Sequence, residues 1–207
     1  MTPGSCPRCG GALREPGLWS SSWTCVSHGD VIPFRRATAV NQDVLTHIAA
    51  TSQVPLWIPY PLPVGWLVNG VASAGDERTG ARATVTALCG PNPAGGAADL
   101  LLIAEEMGVG LGAWCAGLPG PDAGDALHGA PEGKVEVAGH PTALWQVTTA
   151  EHDRCVLVGE AEGLWLWAVL WPASASLLLL ERVELRDVRQ QLPPDLEFGA
   201  ASPRIPR

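Results

Sequence analysis

Residues 66–88, WLVNGVASAGDERTGARATVTAL, decide the fold class. Their middle, Gly75-Asp76-Glu77-Arg78-Thr79-Gly80, is a polar turn bounded by glycines, which reverse a chain at little steric cost. Beyond it Ala83, Val85 and Ala87 alternate with Arg82, Thr84 and Thr86. A period of two places the two sets on opposite faces of a strand. The stretch therefore reads as a β-hairpin, with strands over 66–74 and 81–88, one face apolar and the other in water.

Outward from this hairpin the pattern continues. A Gly/Pro loop at 90–96 precedes a strand at 98–106, and loops follow at 108–112 and 117–131. Further strands are predicted over 134–138, 143–148, 155–160, 164–171, 176–180 and 183–186, with turns such as Gly139-His140-Pro141 and 172–175 between them. Gaps this short leave no room for crossover helices, so the strands form an antiparallel meander. On the N-terminal side, residues 38–52 predict a helix. Val44, Leu45, Ile48 and Ala49 share one face, Thr38 or Asn41 caps it and Pro55 stops it. The four prolines of residues 54–65 exclude a helix and a central strand, leaving an extended segment anchored by Trp57 and Tyr60. The Pro-rich tail from Pro193 onward is expected to be poorly ordered. The fold class is α+β: a zinc ribbon over 1–36, one mainly antiparallel sheet domain with few helices over 37–192, and the tail over 193–207.

Composition bounds the rest. The chain has 207 residues, 46% hydrophobic and 16% charged, which suits one packed domain with an appendage and excludes whole-chain disorder. The net charge is −8, and the first 36 residues hold four arginines against two acids, so the acidity resides in the body. An acidic body repels phosphate backbones. Nucleic acid is left only the small basic face of Arg8, Arg14, Arg35 and Arg36. Residues 163–180, GLWLWAVLWPASASLLLL, carry no charge over 18 positions. Pro172, Ser174 and Ser176 interrupt them, and Trp165, Trp167 and Trp171 cluster in one half, so two strands explain them better than a membrane span. The first 20 residues lack the apolar core of a secretory signal, and the cysteines are not arranged as a disulfide framework. The cytoplasm is the expected compartment.

The strongest local signal is Cys6-Pro-Arg-Cys9 and Cys25-Val-Ser-His28, separated by 15 residues. A two-residue spacer lets one tight turn present two ligands to one ion, and zinc takes four such ligands in a tetrahedron. Gly10 and Gly29 follow the two pairs and supply the positive φ such turns need. Cys6, Cys9, Cys25 and His28 are thus predicted to hold Zn2+ in a closed, structural Cys3His site. Binding would supply folding energy to a segment too small for a core. Leu18, Trp19 and Trp23 are expected to form the ribbon's apolar cap.

Catalytic patterns are thinner. Gly108, Gly110 and Ala113 match dinucleotide spacing, but no helix of useful length follows. The adjacent Glu105 and Glu106 read as solvated charges. Cys115 and Cys155 read as buried thiols unless His128, His140 or His152 approaches one. Trp165, Trp167 and Trp171 share parity, with Trp145 and Trp66 expected beside them, as a Trp-lined core or an aromatic pocket. No catalytic residue is assigned.

The segments CPRCG (6–10), PLPVGWLVNGVASAGDERTGARAT (61–84), LLLIAEEMGVGLGAWCAGLPGPD (100–122), GHPTALW (139–145) and GEAEGLWLWAVLWP (159–172) resemble an uncharacterised domain family of high-GC bacteria with an N-terminal zinc-ribbon-like segment. The resemblance spans nearly the whole chain and implies a shared fold and ribbon, without an activity. GHPTALW and GLWLWAVLWP are also similar to bacterial lipoprotein and anti-sigma sensor domains, which implies an antiparallel sheet. The expected role is a non-enzymatic cytoplasmic adaptor or regulator that holds a protein partner or a small ligand. The alternatives are a small-molecule enzyme with a pocket of the Glu105–Trp114 loop, Gly108 to Gly112 included, and His140, or a weak nucleic-acid binder through the ribbon.

Overall fold

The computed structural model describes residues 4–18, 20–127, 129–148 and 151–206. Trp19 and His128 lie outside them. In chain order the strands and helices are β1 (Leu13–Arg14), β2 (Trp23–Cys25), β3 (Gly29–Val31), β4 (Phe34–Arg36), α1 (Gln42–Ala50), β5 (Trp57–Pro59), β6 (Leu67–Asp76), β7 (Gly80–Pro91), β8 (Ala97–Glu105), α2 (Leu111–Ala116), β9 (Gly133–Val137), β10 (His140–Gln146), β11 (Cys155–Ala161), β12 (Leu164–Trp171) and β13 (Glu184–Asp187). Two short 3₁₀ segments, Gly124–Ala126 and Ala173–Leu180, complete the set.

β1, β2 and β3 form a three-stranded sheet, and the other strands form a ten-stranded sheet ordered β4-β6-β7-β8-β12-β11-β10-β9-β13-β5. The 66–88 hairpin is present as β6 and β7, which run on to meet at Asp76 and Gly80. Asp76 Oδ1 closes the turn by accepting from the Arg78 and Thr79 amides at 3.0 and 2.8 Å. Pairing is antiparallel throughout the large sheet except between β13 and β9, which run parallel. β5 pairs only with β13, at the sheet's edge, a place that suits its Pro59. α1 is capped by Asn41, whose side chain accepts from the Val44 amide at 2.9 Å, and it buries Leu45, Ile48 and Ala49.

Both faces of the central strands are covered. Along β12, Leu166, Ala168 and Leu170 enter one core with α1 and β5, while Trp167, Val169 and Trp171 enter a second with α2, Phe34 and Ile205. This corrects the expectation of a wet face on β7. Thr84 and Thr86 are buried beside the first core, where the chain around Pro55 lies over them and takes a hydrogen bond from the Thr84 hydroxyl. Trp66 packs in the first core, across the sheet from the β12 tryptophans, which corrects its expected grouping with them. Its parity was not decisive because it precedes β6 rather than lying in it.

Two further expectations are corrected. Residues 176–180 form no strand. Ala173–Leu180 winds as a 3₁₀ helix that buries Ala175, Leu178 and Leu179 and exposes Leu177 and Leu180. A run of four leucines carries no alternation, so packing decides its shape. The tail from Pro193 is not loose. Glu197 accepts from the Val68 amide at 2.9 Å, Val68 accepts from the Gly199 amide at 2.9 Å, and Ile205 is buried in the second core. Among the described residues no helix is long and apolar enough to cross a membrane, and residues 163–180 are β12 and the 3₁₀ segment instead.

Asp187 ties β13 to the chain entering β5. Its carboxylate, 5% exposed, accepts from the buried Leu56 amide at 3.1 Å and from Arg189 Nε at 2.8 Å. Asp187→Ala strands the buried Leu56 amide and removes the carboxylate partner of Arg189. It is expected to lower stability by about 2–3 kcal/mol, read in urea unfolding as a lower midpoint at unchanged slope.

Candidate metal centre

The first pair of predicted ligands sits on a turn in which the Gly10 amide donates to the Cys6 carbonyl at 2.8 Å and the Cys6 amide to the Gly11 carbonyl at 2.8 Å. The second pair sits on the β2–β3 turn, where Cys25 is directly opposite Gly29. Gly10 and Gly29 have φ of +70° and +67°, the left-handed conformation expected of them. The two turns bring Cys6, Cys9, Cys25 and His28 together, their ligand atoms all within 4.8 Å of one another.

The separations carry chemical information. Cys9 Sγ to Cys25 Sγ is 3.8 Å, and His28 Nδ1 lies 3.6 Å from both Cys6 Sγ and Cys25 Sγ. With Zn–S and Zn–N bonds of about 2.3 and about 2.0 Å, tetrahedral edges are about 3.8 Å between sulfurs and about 3.5 Å between sulfur and nitrogen. The donor set therefore fits a tetrahedral ion. The sulfurs stand too far apart for a disulfide, and all six cysteines are free.

Backbone amides face these sulfurs. The Arg8 amide lies 3.5 Å from Cys6 Sγ. Burial nonetheless pushes the Cys6 thiol up to about 12. Burial also opposes ionisation of Cys25, but the Ser27 amide and the His28 ring outweigh it and pull that thiol down to about 6. A divalent cation is what makes three thiolates at this distance compatible.

The ligand turn is fastened to the body. Arg8, between Cys6 and Cys9, donates from its guanidinium to the carbonyls of Gly108 and Val109, the latter at 3.2 Å. Gly110, at φ +88°, leaves the space that Arg8 Cγ occupies; a Cβ there would lie 2.8 Å from it. Ser5 and Phe34 exchange backbone hydrogen bonds at 2.8 and 2.9 Å, joining the turn to β4.

A scan against family models matches residues 1–205 to DUF6758, a family of unknown function. The chain belongs to DUF6758. No curated protein and no solved structure matches it.

Among the described residues, the catalytic candidates outside the metal cluster do not come together as the predicted pocket. The Glu105–Trp114 loop and His140 are apart: a cleft of about 310 Å³ beside Gly108 and Val109 is lined by Arg8, Trp23, Arg78, Arg82 and Met107 and includes no part of β10. Cys115 and Cys155 are buried, and burial pushes both thiols up, away from a nucleophilic thiolate. Of the basic residues, Arg8 is spent on the loop, and Arg35 stacks on Trp23 and donates to the Gly75 carbonyl. Arg14 is exposed. Leu18 is 98% exposed, so it forms no apolar cap.

The largest correction concerns Glu105. Expected in water, it is fully buried, and its carboxylate accepts from the Leu111 and Gly112 amides at 2.8 and 3.1 Å. It thereby occupies the start of α2, where the dinucleotide reading would have seated a phosphate. Gly112 has no room for a side chain, because the Trp167 indole fills that space. Glu106, one residue on, is at the surface and pairs with Arg82 at 2.6 Å. Asp122 holds the other end of the loop, accepting from the Gly108 amide at 3.0 Å and from Trp165 Nε1 at 3.1 Å. Sequence reading missed this clasp because nothing local distinguishes Glu105 from Glu106. The one available signal was a carboxylate directly ahead of a Gly-rich turn into a short helix.

Burial pushes Glu105 up to about 7, against the pull of the Leu111 and Gly112 amides, from an ordinary value of 4.5. The folded protein thus retains a proton that the unfolded chain has released, and stability falls as pH rises through this window, then levels off. The loss is on the order of 3 kcal/mol. Glu105→Gln carries no such proton. The stability difference between wild type and variant should therefore shift by this amount between pH 4.5 and pH 8, in favour of the variant at the higher pH, while contributions common to both cancel. Thermal unfolding of the pair across that range measures it.

Proposed function

We propose that this protein is a non-catalytic adaptor or regulator whose Cys3His centre holds one structural Zn2+. The observation that carries the reading is closure of the centre. Four protein ligands at tetrahedral spacing leave no position for water or substrate, and a zinc ion without an open position does structural work. The ion takes the place of a hydrophobic core for the ligand turns and β1–β3 of the ribbon unit expected over 1–36, whose last strand, β4, is instead part of the large sheet with Phe34 in its second core; the acidic body over 37–192 is the second unit. The ribbon is a rigid projection held on the body through Arg8, suited to recognition by a protein partner. Reduced cysteines at contact distance support a cytoplasmic setting. A small ligand of the body is compatible with this role. Nucleic acid and membrane are not its partners in this reading, because Arg8 and Arg35 are engaged within the chain.

Two measurements test it. Metal analysis of the purified protein should give one zinc per chain, and Cys6→Ser/Cys9→Ser should bring it below about a tenth of that. The variant should lose its ribbon while the body keeps a cooperative melting transition within a few degrees of wild type. Loss of both together contradicts the two-unit reading. In capture from native lysate, a partner retained by wild type and released by the same variant is the expected adaptor result; identical capture by both removes the ribbon from the role.

A further inference from the structure

The sequence marks out a tryptophan face that neither the metal centre nor the adaptor reading uses. On β11, Val156 and Val158 point into the second core, and Glu160, two residues on, shares their face. Val158 is opposite Trp145 on one side and Trp167 on the other, and Glu160 is opposite Trp165. Trp145 and Trp165 therefore stand diagonally across β11, with Val158 and Glu160 between them. Together they line a cleft of about 300 Å³. Both indoles are half-buried and Glu160 is exposed at the mouth. Trp165 is fixed in place: its Nε1 donates to Asp122 at 3.1 Å, and its ring leans on Trp167 at 6.4 Å between centroids.

Elsewhere the fold seats its own cations on aromatic rings. Arg35 lies 5.3 Å from the Trp23 ring, Arg154 and Arg204 lie 5.1 and 4.9 Å from Trp171, and Arg186 lies 4.3 Å from Tyr60. Among the described residues no arginine or lysine stacks on Trp145 or Trp165, and none pairs with Glu160. Two indole rings and a carboxylate around one recess are complementary to a cation. Aromatic faces select weakly hydrated organic cations, whereas inorganic cations keep their water and take oxygen ligands. The recess is at the small end of ligand sites and far smaller than an interface.

We propose that the Trp145–Trp165 cleft is a binding site for a small alkylammonium ligand, with the two indoles as walls and Glu160 as counter-charge. The site is independent of the zinc centre, and chelation leaves it intact.

Calorimetric titration of the full chain with choline chloride tests this. Saturable one-to-one binding is expected. The neutral isostere 3,3-dimethylbutan-1-ol should bind at least about tenfold more weakly. Glu160→Gln, an exposed change that leaves the core untouched, should weaken choline several-fold, and Trp145→Ala should abolish saturation while near-native melting verifies its fold. Absence of saturable choline binding overturns the proposal, as does equal binding of the neutral isostere. Binding of N-acetyl-arginine methylamide about tenfold more tightly than choline also overturns it, assigning the cleft to a partner's side chain.

Discussion

The loop from Met107 to Gly112 is gripped from both sides by hydrogen bonds to Arg8 and Glu105, and the assembly of this molecule turns on that grip. Arg8, carried on the first ligand turn, donates to the Gly108 and Val109 carbonyls. Glu105, buried at the end of β8, accepts the amides at the start of α2. Glu105 is fully buried and Arg8 half-buried, so each needs partners for its polar atoms. The loop gives the Arg8 guanidinium its carbonyls and the Glu105 carboxyl its amides. One short segment thereby joins the N-terminal turn, α2, and the sheet strand on which the second core is built.

Burial on both faces of β8 and β12 follows from that closure. With α2 drawn onto the sheet by Glu105, Trp167 fills the space that a side chain at Gly112 would need, and Trp167, Val169 and Trp171 leave solvent. The other face is closed by α1, β5 and the 3₁₀ segment Ala173–Leu180. Apolar matter on both sides explains why β12 reads as an unbroken hydrophobic run long enough to imitate a membrane span.

What was legible in the sequence is what short-range spacing controls. The four ligands of the metal cluster lie on two tight turns, and Gly10 and Gly29 adopt the positive φ that those turns need. The 66–88 hairpin, the Asn41-capped helix and the parity of Trp165, Trp167 and Trp171 are equally local. The failures are tertiary. Glu105 and Glu106 differ only in which side of the chain later elements cover. Thr84 and Thr86 look solvated until the chain around Pro55 arrives over them. The leucines at 177–180 have no period to read. Membership of DUF6758 supplies no activity to fill these gaps, so function has to be argued from the sites.

The central claim is that a metal ion at Cys6, Cys9, Cys25 and His28 orders the ligand turns and, through Arg8, steadies the 108–110 loop, while the large sheet stands without it. Hydrogen exchange followed by mass spectrometry, on metal-loaded and chelated protein, tests it most directly. The account predicts that chelation strips protection from residues 5–31 and raises exchange at the Gly108 and Val109 amides, leaving β7, β8 and β12 as protected as before. Unchanged exchange in the N-terminal segment, or loss of protection across the whole sheet, would contradict it.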